Sequence, residues 1–149
     1  MKFLTAMLAI AALVAPGLSS AQPNDPSQQA MRVLDEFMAA FNARDEKVWM
    51  TTLHFPHVRV ASGEIRLDAT PEEMMSAFDF EQFAKQFDWD HSAWLSRDVV
   101  QSGPDKVHVA VRFARYRKDG SVSAEFDSLY IVARHEGRWA VVGRSSFAP

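Results

Sequence analysis

The sequence predicts an α+β domain in which a curved antiparallel sheet packs against three N-terminal helices. Two observations predict this class. Apolar residues recur at helical spacing in the first part of the chain, and strand-like runs separated by turn residues fill the last third. Helices placed ahead of antiparallel strands are typical of α+β folds. Strands that alternate with helices along the chain would instead indicate an α/β fold with a parallel sheet.

The strand pattern is clearest near the end of the chain. From Val107 to Phe113 the odd positions are all apolar, and this period of two indicates a strand with one buried face. Asp119-Gly120 predicts a hairpin turn, after which Phe126 to Ala133 forms the next strand. Gly137 predicts a second turn before the last strand, Trp139 to Phe147.

Cap residues predict where the three helices begin. Asp25 followed by Pro26 starts the first helix, which we expect to end at about residues 42–44. Asp45 predicts the cap of a short second helix, and Thr70 predicts the cap of a third. Asp79 is expected to restart this third helix after a kink.

Three further strands are predicted between the helices and the closing strands. His54 to Val60 is β-branched and alternating, and Ser62-Gly63 turns it into a short return strand, Glu64 to Leu67. Trp89 to Gln101 carries a weaker strand pattern.

The first 21 residues predict a secretory signal peptide. Lys2 precedes the apolar run Phe3 to Ala15, and Ser19-Ser20-Ala21 supplies small residues for cleavage. We expect residues 22–149 to form a single domain that is periplasmic or secreted, without stable membrane insertion after cleavage.

Composition narrows the classes of partner and chemistry. The net charge of −3, with both signs interspersed, argues against a nucleic-acid partner. The chain has no cysteine, which excludes disulfides, a thiol nucleophile and thiolate metal ligands. His54 and His57 are three apart on a predicted strand and would point to opposite faces unless Pro56 introduces a turn, so we expect no metal site. We also expect no cofactor.

The chain resembles the NTF2-like superfamily, the cone-shaped, cystatin-like roll of ketosteroid isomerase, scytalone dehydratase and SnoaL-like polyketide cyclases. The resemblance rests on the order of elements and on four segments, Phe41–Asp45, Leu53–Arg59, Ser128–Val132 and Gly137–Val141. It implies a cavity between the concave face of the sheet and the helices, and it implies homodimers that pair through the sheet.

The first functional hypothesis is a domain that binds a small apolar, amphipathic or carboxylate ligand without turning it over. Arg59, Trp94 and Arg144 are the candidate ligand-binding residues. An arginine fork suits an acid, and aromatic side chains line apolar pockets. The open alternative is that Arg59 lies on a solvated face or dimer contact, and that Arg144 is paired with Glu125 or Asp127.

The second hypothesis is an enzyme of the isomerase, dehydratase or cyclase kind. His57 or His91 would act as the base and Tyr130 as the oxyanion donor. The carboxylate that the isomerases place near the end of the first strand has no counterpart in Val60-Ala61-Ser62. The third hypothesis is a dimerisation or partner-binding module.

The period of two also predicts the faces of two mid-strand arginines. Arg112 falls opposite the apolar face of its strand and is expected on the outside of the sheet. In a regular strand Arg144 lies on the same face as Val142, two residues earlier, and Val141 lies on the other face. We therefore expect Arg144 and Val141 on different faces of the sheet.

Overall fold

The structure is a computed structural model that describes residues 25–149. The expected signal peptide, residues 1–21, and the three residues that follow it lie outside the described residues. Within residues 25–149 the elements are α1 Pro26–Asn42, α2 Glu46–Thr51, β1 Leu53–Ala61, β2 Glu64–Asp68, α3 Pro71–Ser76, α4 Phe80–Phe87, β3 His91–Ser102, β4 Lys106–Tyr116, β5 Val122–His135 and β6 Arg138–Ser146.

The strands form one six-stranded sheet in the order β2-β1-β6-β5-β4-β3. Strands β3 to β6 form an antiparallel meander, and β1 and β2 pair as an antiparallel hairpin. The predicted α+β class is therefore confirmed. One pairing differs from an all-antiparallel sheet, because β1 joins β6 in parallel. The sequence pattern identifies strands and their faces, whereas it does not determine which distant strand becomes a neighbour.

The helix starts follow the predicted caps. The Asp25 carboxylate accepts from the Ser27 N–H at 3.1 Å, and the Asp45 carboxylate accepts from the Val48 N–H at 2.9 Å. The Thr70 hydroxyl accepts from the Glu73 N–H at 3.2 Å. Each such cap typically stabilises a helix by about 1 kcal/mol.

The predicted third helix is two helices, α3 and α4. Asp79 caps α4 by accepting from the Gln82 N–H at 2.6 Å. Asp88, in the left-handed region with φ +48°, ends α4 and lets the chain turn into β3. Residues 77–79 therefore separate α3 from α4 and interrupt the predicted third helix.

The core lies between α1 and the concave face of the sheet. The apolar positions predicted for the closing strands are buried, with Val107 and Val109 fully inaccessible to solvent. Leu34 and Phe37 of α1 are buried against this face. Among residues 25–149, no helix is both long enough and apolar enough to span a bilayer.

Candidate ligand-binding site

A cavity of about 320 Å³ lies between the concave face of the sheet and the helices. Its volume is near the lower end of the range typical of small-molecule sites. Nine of the residues that line it are aromatic, and these are Phe37, Phe41, Trp49, Phe78, Phe83, Phe87, Trp94, Phe113 and Tyr130.

Four arginines and one aspartate also line this aromatic-rich cavity. Arg66 donates to both oxygens of Asp68, at distances of 2.7 to 3.0 Å, and the two charges neutralise each other. The remaining three are Arg59, Arg115 and Arg144, and no aspartate or glutamate side chain of residues 25–149 forms an ion pair with them. The cavity therefore holds an excess of positive charge in a largely apolar surrounding.

Arg59 and Arg144 enter the cavity side by side. They are register partners on the parallel strands β1 and β6. The Arg59 guanidinium donates to the backbone carbonyls of Ala148 and Pro149, at 3.2 and 3.1 Å. Burial, reinforced by the neighbouring charge of Arg144, lowers the pKa of Arg59 to about 10, so it stays cationic at neutral pH.

The Arg144 guanidinium lies over the ring of Phe37, with 5.3 Å between its central carbon and the ring centroid. Its Nε is buried and has no hydrogen-bond partner within residues 25–149. An unpaired buried donor is rare in folded proteins, and a ligand oxygen is one way to satisfy it.

Arg115 reaches the cavity from β4 and is only 6% exposed. Its guanidinium carbon lies 4.8 to 4.9 Å from the ring centroids of Phe83, Phe87 and Phe126. Burial lowers the pKa of Arg115 to about 10, and the charges of Arg59 and Arg144 contribute. Such cation–π contacts contribute about 0.5 to 2 kcal/mol each, depending on how far they are desolvated.

Sequence reasoning did not identify Arg115 as a site residue. The signal was present, because 115 continues the odd-numbered face of Val107 to Phe113. The alternation of faces along the strand predicts that residue 115 points inward, so an arginine at this position could have been identified as a cavity residue.

Tyr130 and Trp94, both predicted site residues, line the cavity beside these arginines. Tyr130 is 4% exposed and packs edge-on against Phe37 and Trp94, with centroid distances of 5.6 Å in both cases. The Trp94 indole donates to the Leu34 carbonyl at 3.3 Å, which fixes its ring against α1. The cavity thus brings together four predicted residues, namely Arg59, Trp94, Tyr130 and Arg144.

The two predicted histidines lie elsewhere. His57 is fully buried, its Nδ1 lies 3.3 Å from the Val141 carbonyl, and it does not line the cavity. Its Nε2 has no hydrogen-bond partner in the described chain, and burial together with the charge of Arg144 lowers the pKa of His57 to about 4. His91 is half-exposed, bonds Asp90 at 2.9 Å and stacks on Tyr116 outside the cavity.

The mid-strand arginines take different faces. Arg112 is exposed and paired with Glu125 at 2.7 Å, as expected for the outside of the sheet. The prediction that Arg144 and Val141 face opposite sides is wrong. Val141 is fully buried and Arg144 lines the cavity, because the β5–β6 register shifts between them.

The arrangement suits anion binding better than proton transfer. Arginine forks bind carboxylate and phosphate oxygens in two-pronged fashion, and the Tyr130 hydroxyl is a further donor. The one carboxylate in the cavity, Asp68, is held by Arg66. Residues 25–149 contain no cluster of three or more histidine, aspartate or glutamate side chains that could hold a metal ion.

The fold and the cavity define an α+β domain with an aromatic-rich cavity on the concave face of its sheet. The model of the family described as NTF2-like protein (DUF6841) matches residues 27–147. The chain belongs to this NTF2-like family, which confirms the resemblance seen in the sequence. No curated protein matches the chain.

Solved structures show the same fold at low sequence identity. A protein of unknown function with a cystatin-like fold from Nostoc punctiforme is 12% identical, with a TM-score of 0.68, and the match covers 83% of this chain and 90% of that one. A ketosteroid isomerase-like protein from Erwinia carotovora is 18% identical, with a TM-score of 0.58 over 80% and 93% of the two chains.

A putative calcium/calmodulin dependent protein kinase II association domain from Xanthomonas campestris is 19% identical, with a TM-score of 0.58 over 92% and 98%. At these identities the likeness establishes the fold alone, because one fold carries many functions.

Proposed function

We propose that this chain is an exported NTF2-like domain whose cavity binds a small amphipathic acid without turning it over. The ligand has an apolar or aromatic body and a carboxylate or similar oxyanion. The observation that carries the proposal is the set Arg59, Arg115 and Arg144, which line an aromatic-rich cavity without an aspartate or glutamate partner in the described chain.

The electrostatic argument starts from the cost of burying charge. A buried guanidinium loses hydration, and an opposite charge in good geometry is the usual compensation. Arg115 is 6% exposed and has aromatic rings instead of a carboxylate around it. A bound oxyanion would supply the missing compensation for Arg115 and for the unpaired Nε of Arg144.

The walls support an apolar body. Phe37, Phe41 and Trp94 present rings to the cavity, and apolar ligand surface gains about 25 cal/mol for each Å² removed from water. Met38 and Met74 also line the cavity, and their flexible side chains can adapt to the ligand shape.

Binding without turnover is favoured by the position of the acid–base groups. His57 and His91 do not line the cavity, and Asp68 is engaged by Arg66. Tyr130 lies beside the arginines, where its hydroxyl can donate to the same oxyanion.

A matched acid and amide test the proposal. Isothermal titration calorimetry would compare 3-phenylpropionate with 3-phenylpropionamide, which share the body and differ in charge. We expect the acid to bind at least about tenfold more tightly, because a hydrogen bond to a charged group contributes about 1.5 to 3 kcal/mol. Equal affinities, or no binding of the acid, would contradict the proposal.

Two pairs of variants locate the binding. Arg144→Met should weaken binding of the acid about ten- to a hundredfold, whereas Arg112→Met, on the outside of the sheet, should leave it unchanged. Trp94→Phe should reduce the fluorescence change on binding, with the rest coming from Trp49, the other cavity tryptophan. Trp139→Phe, at a position outside the cavity, should keep the full change.

A further inference from the structure

The four cavity arginines differ in what their N–H groups contact. Arg66 is held by Asp68, and Arg59 donates to two backbone carbonyls. Arg115 and Arg144 have no oxygen acceptor within residues 25–149, and the Nε of Arg144 is buried and unpaired. Two guanidinium groups therefore remain with N–H donors that no protein oxygen of the described chain accepts.

The faces of these two guanidinium groups are covered by aromatic rings. Arg144 lies over Phe37, and Arg115 lies near the three phenylalanine rings described above. A ring attracts the cation through its face but provides no oxygen for the in-plane N–H groups. The N–H edges are thus the parts of both arginines that need a ligand oxygen.

Arg115 and Arg144 come from strands on opposite sides of β5. Arg144 is on β6 and Arg115 on β4, while Tyr130 of β5 lines the cavity with both. A single carboxylate carries one charge and can satisfy one fork. When the apolar body of such a ligand displaced water from the cavity, the guanidinium that the carboxylate does not contact would be a desolvated charge without a counter-ion.

We propose that the ligand carries two negative charges on its small apolar body, so that Arg115 and Arg144 each receive an anionic oxygen. This inference rests on the proposed function and adds the charge class of the ligand. Two separate carboxylates and one phosphate monoester share this chemistry, and the experiment below distinguishes them.

The primary test compares three ligands with one body by calorimetry on the purified protein. Benzylmalonate is 3-phenylpropionate with a second carboxylate, and its monoamide has nearly the same bulk with one charge. At a pH where both carboxylates are ionised, we expect benzylmalonate to bind at least about tenfold more tightly than either single-charge compound. A difference below about twofold would overturn the inference.

Two further arms identify the source of the two charges. Phenylethyl phosphate is compared with phenylethyl sulfate, its singly charged analogue, and benzylsuccinate places the carboxylates one carbon further apart. If the affinity ratio of phosphate to sulfate exceeds the ratio of benzylmalonate to its monoamide, the natural ligand is a phosphate monoester. If benzylsuccinate binds most tightly, the ligand carries two separated carboxylates. Failure of every dianion to exceed its single-charge analogue refutes both sources.

Variants link the preference to the two arginines. Arg115→Met and Arg144→Met should each reduce the benzylmalonate advantage to below about twofold, and the exterior control Arg112→Met should keep it. Persistence of the advantage in both cavity variants would refute the assignment. Should either variant fail to fold, the wild-type protein still gives an answer, because affinity for the dianion should fall more steeply with salt than affinity for the monoamide.

The outcomes separate this inference from the proposed function. Tight binding of 3-phenylpropionate without any benefit from a second charge would overturn the inference and leave the proposed function intact. Binding of none of the acids would contradict the proposed function itself.

Discussion

Arg144 lies directly opposite Tyr130 across the β5–β6 ladder, and both side chains line the cavity. Val141, three residues earlier, lies opposite Val132, and both valines are fully buried. Residues three apart in a regular strand face opposite sides. The register shift between these pairs makes Val142 an extra residue, and this bulge turns Arg144 inward.

Replacing Arg115 with methionine should leave the ligand-free protein equally stable or up to about 2 kcal/mol more stable. The change removes a desolvated charge, and the apolar side chain keeps contact with Phe83 and Phe87. The free energy of unfolding in urea measures this. A loss of more than about 1 kcal/mol would show that the cation–π contacts outweigh the desolvation.

The exterior variant Arg112→Met is the control for this measurement. Arg112 is paired with Glu125 on the outside of the sheet, where solvent screens the interaction. We expect no measurable change in stability from this substitution.

His57 should make stability fall as the pH decreases from about 6.5 to about 4. Its pKa is lowered to about 4 in the folded state, so in this window the unfolded chain binds a proton that the folded chain does not. Stability from this group is complete above 6.5 and lost as the pH falls towards 4. A shift of this size corresponds to about 3 kcal/mol.

The variant His57→Gln isolates this contribution. The wild-type protein should lose about 3 kcal/mol more than the variant over the same pH window, measured by urea unfolding at several pH values. His91→Gln, at a half-exposed position, is the control for replacing an imidazole at the surface. If the free energy of unfolding falls equally with pH in the wild-type protein and in His57→Gln, His57 is not the group responsible.

Gly143→Ala should destabilise the protein by about 1 to 2 kcal/mol and weaken acid binding. A Cβ at 143 would lie 3.3 Å from the Val58 carbonyl oxygen, where β1 and β6 run side by side next to Arg144. Gly103→Ala is the matched control, since its Cβ would meet only the Lys106 carbonyl at 3.7 Å. Equal stability of the two variants would show that β1 yields to the added methyl group.

The homodimer implied by the family resemblance stays a prediction. Val58, Ile65 and Leu67 are exposed, and they share the face of β1 and β2 that points away from Arg59 and Arg66. If this outer face pairs two copies, Leu67→Glu should convert a dimer into a monomer in light scattering, with acid binding retained. A wild-type monomer at high concentration would contradict the prediction.

The candidate site was predicted in part. Arg59, Trp94, Tyr130 and Arg144 were named from residue type and strand position, and all four line one cavity. Arg115 was missed because the run of apolar odd positions ends at Phe113, although the strand continues to Tyr116. His57 and His91 were predicted as catalytic residues because imidazole titrates near neutral pH. Residue type alone does not indicate whether a side chain enters the cavity.

The sequence by itself determined the α+β class, the helix caps, the hairpin turns and the inward face of β4, because these depend on periodicity and on local backbone preferences. Only the tertiary structure decided that β1 runs parallel to β6 and that a bulge turns Arg144 inward. It also decided that three arginines line one cavity without an aspartate or glutamate paired to them. These features depend on contacts between residues far apart in the chain, and no local pattern records which distant partner a strand or a charge will meet.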